Sequence, residues 1–336
     1  MIAGAFLLAA AVAGVLSSRN GGAAAPTARA PLQVALVYAT PVGDAPFPRR
    51  ELIFRASPTG GDPVRLAAGT NPLLSPDGRW VAYRAGLLSR PSALRLISSD
   101  GGAPRAAKVS ADPLVWSPDS QLLLVHGPGG VSIVDARSLR STRLRVPEGS
   151  GSFSFSPDAR TGVFERSTGS SGDIYTISIT SGAIRRLTEG GRSAYPLWGP
   201  SGIAFERFGA GRCANCHGDV WLMNPSGDDA RQLTHTHAGI HPAAWSGDGT
   251  RMLAAYPAID NGRLYAVDVA TGRARPLTPF VGDLYAQGLS RDGKTILAAI
   301  GCGAAIASRG LVETIPFGGG RPTVVVRGPC RASWNA

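Results

Sequence analysis

The stretch LLSPDGRWVAY, Leu73 to Tyr83, decides the fold. Two leucines end one strand. Ser-Pro-Asp-Gly then turns the chain: Pro76 presets φ, Asp77 bonds local backbone and Gly78 accepts a positive φ. Alternating apolar residues begin the next strand. The unit recurs as LVWSPDSQLLLV from Leu114, FSFSPDARTGVF from Phe153, PLWGPSGIAF from Pro196, AAWSGDGTRMLAA from Ala243 and QGLSRDGKTILAA from Gln287. The chain then ends ASWNA. The apolar anchor before the serine position is Leu74, Trp116, Phe155, Trp198, Trp245, Leu289 and Trp334, with gaps of 42, 39, 43, 47, 44 and 45 residues. A repeat near forty-three residues is the signature of a solenoid or propeller.

Each unit holds further strands. GIAFERF, GDVWLMNPSG and ARQLTHT follow the Pro196 turn; RMLAAYP, GRLYAVDVATG and RARPLTPF follow the Ala243 turn. Four short strands, A to D, in each forty-odd residues make one blade of an all-β propeller. Trp334 would be an A strand with nothing after it. QVALVYA, RRELIFRAS and DPVRLAA near the start supply B, C and D strands with no A before them. Joining the two removes the open sheet edges. The expectation is therefore seven four-stranded antiparallel blades, closed by the N- and C-terminal strands, with Trp334 buried between the first and last.

The residues W-S-P-D at Trp116 to Asp119, S-P-D-G at Ser75 to Gly78, and the closing R-x-L-T that ends at Thr188 and at Thr234 carry a resemblance. The chain resembles the TolB-like (WD40-like) β-propeller repeat family from about residue 32 to the end. That resemblance leaves six blades as the alternative if the N-terminal segment forms none. It implies architecture more than activity, because such propellers serve as periplasmic binding platforms, as partner domains of peptidases and as enzymes.

Residues 1–31 are set apart as an export signal or N-terminal anchor plus linker, and 32–336 as the propeller. Ile2 to Leu16 is an apolar or small run of signal-peptide length, with small residues from Ala23 to Ala25. No Lys or Arg precedes it, which leaves open retention as an anchor. The expected location is periplasmic, extracellular or anchored at the outer side of a membrane, with no other membrane contact. The chain carries 34 basic and 23 acidic residues, net +11. All the basic ones but Lys108 and Lys294 are arginines, scattered in ones and twos. A nucleic-acid binder concentrates charge in a stripe with stacking aromatics; neither is present, so no nucleic-acid partner is expected. The chain is expected to be a monomer.

Polar chemistry gathers on one face. D–A and B–C loops of a propeller share a face at the mouth of the channel. GAGRCANCHG, with Cys213, Cys216 and His217, is a B–C loop of the fourth blade; the following D–A loop, THTHAGIHP, carries His235, His237 and His241. His126 lies elsewhere. Cys302 sits in another B–C loop and Cys330 in the D–A loop after the same blade. Three readings of the cluster stand side by side. Export favours disulfides, Cys213–Cys216 and Cys302–Cys330. His217 with His235, His237 or His241 could hold a divalent metal, with Cys213 and Cys216 as further donors for zinc. Cys213-Ala-Asn-Cys216-His217 also has the C-x-x-C-H form that attaches haem c, although a Gly-rich loop between strands argues against that cofactor. Asp77, Asp119, Asp158, Asp248 and Asp292 are periodic turn residues, Asp135 and Asp268 repeat in C strands, and Glu165 and Glu206 end equivalent B strands. All nine are expected to be architectural, and no catalytic residue is assigned.

The function expected is that of an exported non-enzymatic propeller, without a cofactor, binding a protein, glycan or envelope component through its loop face. Two alternatives accompany it. One is a metal-dependent enzyme such as a polysaccharide lyase, a class that the resemblance includes. The other is a haem-bearing redox module.

Overall fold

Every blade is a four-strand antiparallel meander, because each unit supplies four runs of alternating apolar residues separated by turn residues. The computed structural model describes residues 35–42, 51–86, 93–168, 171–209, 218–256, 262–282, 284–301, 310–328 and 331–335, all within the unit from Leu32 to Ala336. Seven four-stranded sheets are present, and no helix occurs among the described residues. The A strands are Thr70–Leu74, Asp112–Trp116, Ser150–Phe155, Ser193–Gly199, His241–Trp245, Tyr285–Leu289 and Arg331–Trp334, which number blades 1 to 7. Each A strand contacts the next, and the seventh contacts the first, so they form the inner ring.

Blade 7 joins the two ends of the chain. Arg331–Trp334 pairs antiparallel with Leu36–Pro41, in the register Leu36 with Trp334 and Ala39 with Arg331. Glu51–Ala56 and Val64–Ala68 complete the sheet. The seven-blade expectation holds and the six-blade alternative does not.

The Ser-x-Asp turns have one chemistry. Ser75 Oγ donates to Asp77 Oδ1 at 2.6 Å and accepts from Trp80 N at 2.9 Å. Asp77 Oδ1 also accepts from Arg79 N at 3.1 Å. Ser117/Asp119, Ser156/Asp158, Ser246/Asp248 and Ser290/Asp292 repeat the hydroxyl-to-carboxylate bond. Blade 4 lacks it, having Gly199-Pro200-Ser201 instead. Asp135 and Asp268 hold C–D turns by accepting from Ser138 and Thr271. All seven carboxylates are architectural, as expected.

The core lies between blades. Seven buried clusters each join two neighbours, for example Leu94 and Leu96 of blade 1 with Trp116, Leu123 and Val125 of blade 2. The closing cluster sets Leu297 and Val312 of blade 6 against Leu36, Tyr38 and Ala332 of blade 7. Trp334 packs at its margin and is only partly buried, short of the full burial expected. Two anchors tie blades by hydrogen bonds: Trp116 Nε1 donates to Leu73 O at 3.1 Å, and Trp245 Nε1 to Leu197 O at 3.2 Å. The outer strands add a second tie. Arg105, Arg185 and Arg275 donate to the carbonyls of Arg137, Pro225 and Phe317, each in the next blade. Arginines that read as a diffuse basic surface thus also clamp the ring.

Candidate functional site at the channel mouth

The A strands begin at the face that carries the D–A and B–C connections, and most of them begin irregularly. In blades 1 to 6 the A–B register shifts near the third residue before the anchor. Three residues at that position are left-handed: Asn71 (φ 53°), Ser152 (φ 48°) and Tyr195 (φ 51°). Bulges re-aim side chains at sheet ends. Ser152 and Tyr195 help to line a cavity of about 430 Å³ spanning the starts of A strands 3 to 6. Its walls include Phe153, Tyr195, His241, Pro242 and Tyr285.

Tyr195 is the best-fixed of these. Its backbone N–H donates to Glu165 Oε2 at 3.0 Å, and its ring stacks on His241 with centroids 4.6 Å apart. It remains 40% exposed, and Tyr285 44%. Burial lowers the His241 pKa to about 4, so the ring is neutral at physiological pH. Its Nδ1 is shut off from water and has no hydrogen-bond partner.

Glu165 and Glu206 lie within the B strands of blades 3 and 4, not at their ends as the sequence suggested, in equivalent registers opposite Gly151 and Ala194. Glu206 is 3% exposed. Burial above all raises its pKa, to about 8; Glu165 and Asp219 add repulsion, while a backbone hydrogen bond from Gly218 opposes the rise. Burial, then Glu165 and Glu206, push the Tyr195 phenol upward as well. Its raised pKa sets Glu206 apart from the seven turn carboxylates.

Two carboxylates that the sequence reading did not single out organise the neighbouring D–A segments. Asp219 accepts from Thr234 Oγ1, from Thr236 N and Oγ1 and from His237 N. Asp173 accepts from Arg186, Thr188 Oγ1 and Gly191 N. The signal was available as Gly172-Asp173-Ile174 and Gly218-Asp219-Val220, each followed by its L-T pair.

The histidines separate. His241 stands in the cavity wall, while His237 is exposed with Nδ1 3.4 Å from Asp219 Oδ2. His235 is exposed on the same segment. Among the described residues no group of three His, Cys, Asp or Glu is placed to hold a metal ion. His217, Cys213, Cys216, Cys302 and Cys330 lie outside the described residues, and with them the disulfide and haem expectations.

No family model matches the chain, and no curated protein does. Solved structures do. TolB from Acinetobacter baumannii superposes with a TM-score of 0.59 at 16% identity, covering 88% of this chain and 81% of that one. The fold is that of a TolB-like β-propeller. An oligogalacturonate lyase in complex with manganese matches this chain as well, with a TM-score of 0.58 at 16% identity over 88% and 86% of the two chains. A puromycin-hydrolysing peptidase from Mycobacterium tuberculosis matches with 0.59 at 14% identity, but over only 53% of its own length, against 87% of this chain. At these identities the likeness is one of fold. One scaffold thus occurs in a TolB protein, a lyase and a peptidase, and the site has to carry any functional reading.

Proposed function

We propose that this chain is an exported, non-enzymatic binding propeller that takes a protein, glycan or envelope component on the face where its A strands begin. One observation carries the reading: a preformed cavity of about 430 Å³ with two exposed tyrosines on a rigid inner ring. Pockets of this size with a few polar groups are typical of ligand sites. Tyrosine supplies large contact area at low entropic cost. Residues 1–31 serve as the export signal or anchor, and the exported thiols pair as Cys213–Cys216 and Cys302–Cys330.

Site-specific photocrosslinking in envelope preparations tests this. A probe at Tyr285 is expected to trap a discrete partner that a probe at Arg140, on the outer rim, does not. Equal labelling from both positions, or catalytic turnover of a candidate ligand, would overturn it.

The second reading is a metal-dependent enzyme, favoured by the fold shared with a lyase whose structure contains manganese. The described residues do not themselves offer a three-ligand set, so His217 would have to complete one. Elemental analysis of the purified protein, with His217→Ala alongside, decides between the two. An absorption spectrum from a host that matures c-type cytochromes disposes of haem if no Soret band appears.

A further inference from the structure

We propose that the cavity at the start of A strands 3 to 6 is a subsite for a neutral carbohydrate, an assignment that rests on the binding function above. Charge is the first reason. The chain is +11 overall, yet among the described residues no Arg, Lys, Asp or Glu lines the cavity. A site for an acidic polymer would draw on the abundant arginines. Instead the carboxylate of Glu165 stands behind Tyr195, its Oε2 accepting from the Tyr195 N–H at 3.0 Å. Anions are disfavoured there.

The second reason is the shape of the walls. Phe153, Tyr195 and Tyr285 line the cavity together with Pro196, Leu197 and Pro242, while Ser152 and His241 supply the polar side chains. A pyranose ring matches this mixture, with a C–H face that packs on an aromatic ring and a rim of hydroxyls for the phenols, Ser152 and the imidazole. Tyr195 needs no ordering on binding, being held through its backbone by Glu165 and through its ring by His241. Such preorganisation lowers the entropic cost of association.

The third reason excludes the obvious competitor. A peptide could add as a strand to the free inner edge of an A strand. Pro196 and Pro242 have no N–H to offer, and left-handed Ser152 and Tyr195 break the edge on either side. Edges of that kind resist strand addition. What remains is a ligand that stacks and bonds through side chains.

Calorimetric titration of the full chain with cellohexaose, maltohexaose, mannohexaose and an oligogalacturonate of equal length tests the assignment. At least one neutral hexaose is expected to bind with micromolar to millimolar affinity, and the oligogalacturonate is not. Tyr285→Ala should weaken that binding about tenfold or more. Tyr195→Asn, whose side chain tolerates positive φ, should do the same with an unchanged melting temperature. Preferential binding of oligogalacturonate, no binding of any neutral hexaose, or affinity untouched in both variants would overturn the assignment. A protein partner trapped from Tyr285 and not displaced by sugar would overturn the subsite and leave the binding function standing. Cleavage of a bound hexaose would do the reverse.

Discussion

Glu206 and His241 set opposite pH dependences on one site. A carboxyl whose pKa rises from 4.5 to about 8 on folding binds its proton more tightly in the folded state, so stability falls as pH climbs through that window. An imidazole lowered from 6.5 to about 4 makes stability rise with pH between those values. The two slopes nearly cancel from about pH 4.5 to 6.5, and Glu206 acts alone above that. The melting temperature is therefore expected to drop between pH 6.5 and 8. Glu206→Gln, which cannot ionise, should remove the drop; the penalty at stake is up to a few kcal/mol. Thermal melts at half-unit pH steps provide the check, and an identical slope in the variant would show that Glu206 is not the protonated group. None of this was legible in the sequence, where Glu165 and Glu206 read as matching strand ends. Their environment depends on a left-handed Tyr195, and tyrosine gives no sequence signal for positive φ. The places of His237 and His241 were not legible for a related reason. THTHAGIH puts three within seven residues, but Asp219 fixes the His237 backbone while His241 has entered the next strand.

At the scale of the element, what repeats in sequence repeats in space. Ser-x-Asp was readable because one turn chemistry needs those two residues at that spacing, and it located the A–B turns of five blades, three of them with proline between. The outer-strand arginine clamps were not readable, since their partners are backbone carbonyls that carry no sequence identity. The tryptophan anchors fall between these cases. All were expected to pack between blades, yet only the structure separates those that also donate a hydrogen bond. Trp116 Nε1 has a partner in Leu73 O, whereas Trp334 Nε1 is buried with none and abuts Gly288. Trp116→Phe should cost about 1 kcal/mol beyond its packing loss, because it also leaves a carbonyl short of a donor. Trp334→Phe removes an unsatisfied N–H and should be neutral or stabilising by comparison. Chemical denaturation of the two variants side by side measures the difference, and equal losses would contradict the assigned bonding.

Closure belongs to the whole molecule, and the chain ends made it legible: an anchor with no blade after it and three strands with no anchor before them. Covalent closure of blade 6 is a separate expectation. The proposed Cys302–Cys330 bond would enclose a loop long enough to contribute about 3–4 kcal/mol. Peptide mapping without reduction should recover that pair, and recovery of Cys302 joined to Cys213 or Cys216 would count against the assigned loops. The non-covalent closure can be cut directly. Deleting residues 333–336 removes the pairs Leu36–Trp334 and Val37–Ser333. It also removes the bond from Ala35 N to Asn335 Oδ1 at 2.8 Å, and that from Leu74 N to Ser333 Oγ at 3.2 Å, which ties blade 7 to blade 1. The indole that packs on the cluster joining blades 6 and 7 goes with them. Because every blade buries its apolar faces against two neighbours, opening one seam exposes both sides of it. Loss of the partly buried aromatic alone costs up to about 3 kcal/mol, a sizeable share of the stability of an ordinary domain. The truncated chain should melt far below the parent and expose apolar surface to a hydrophobic dye, whereas removing an exposed side chain such as Arg140 should change neither. A truncated protein that melts with the parent would mean that the ring does not depend on joining its two ends.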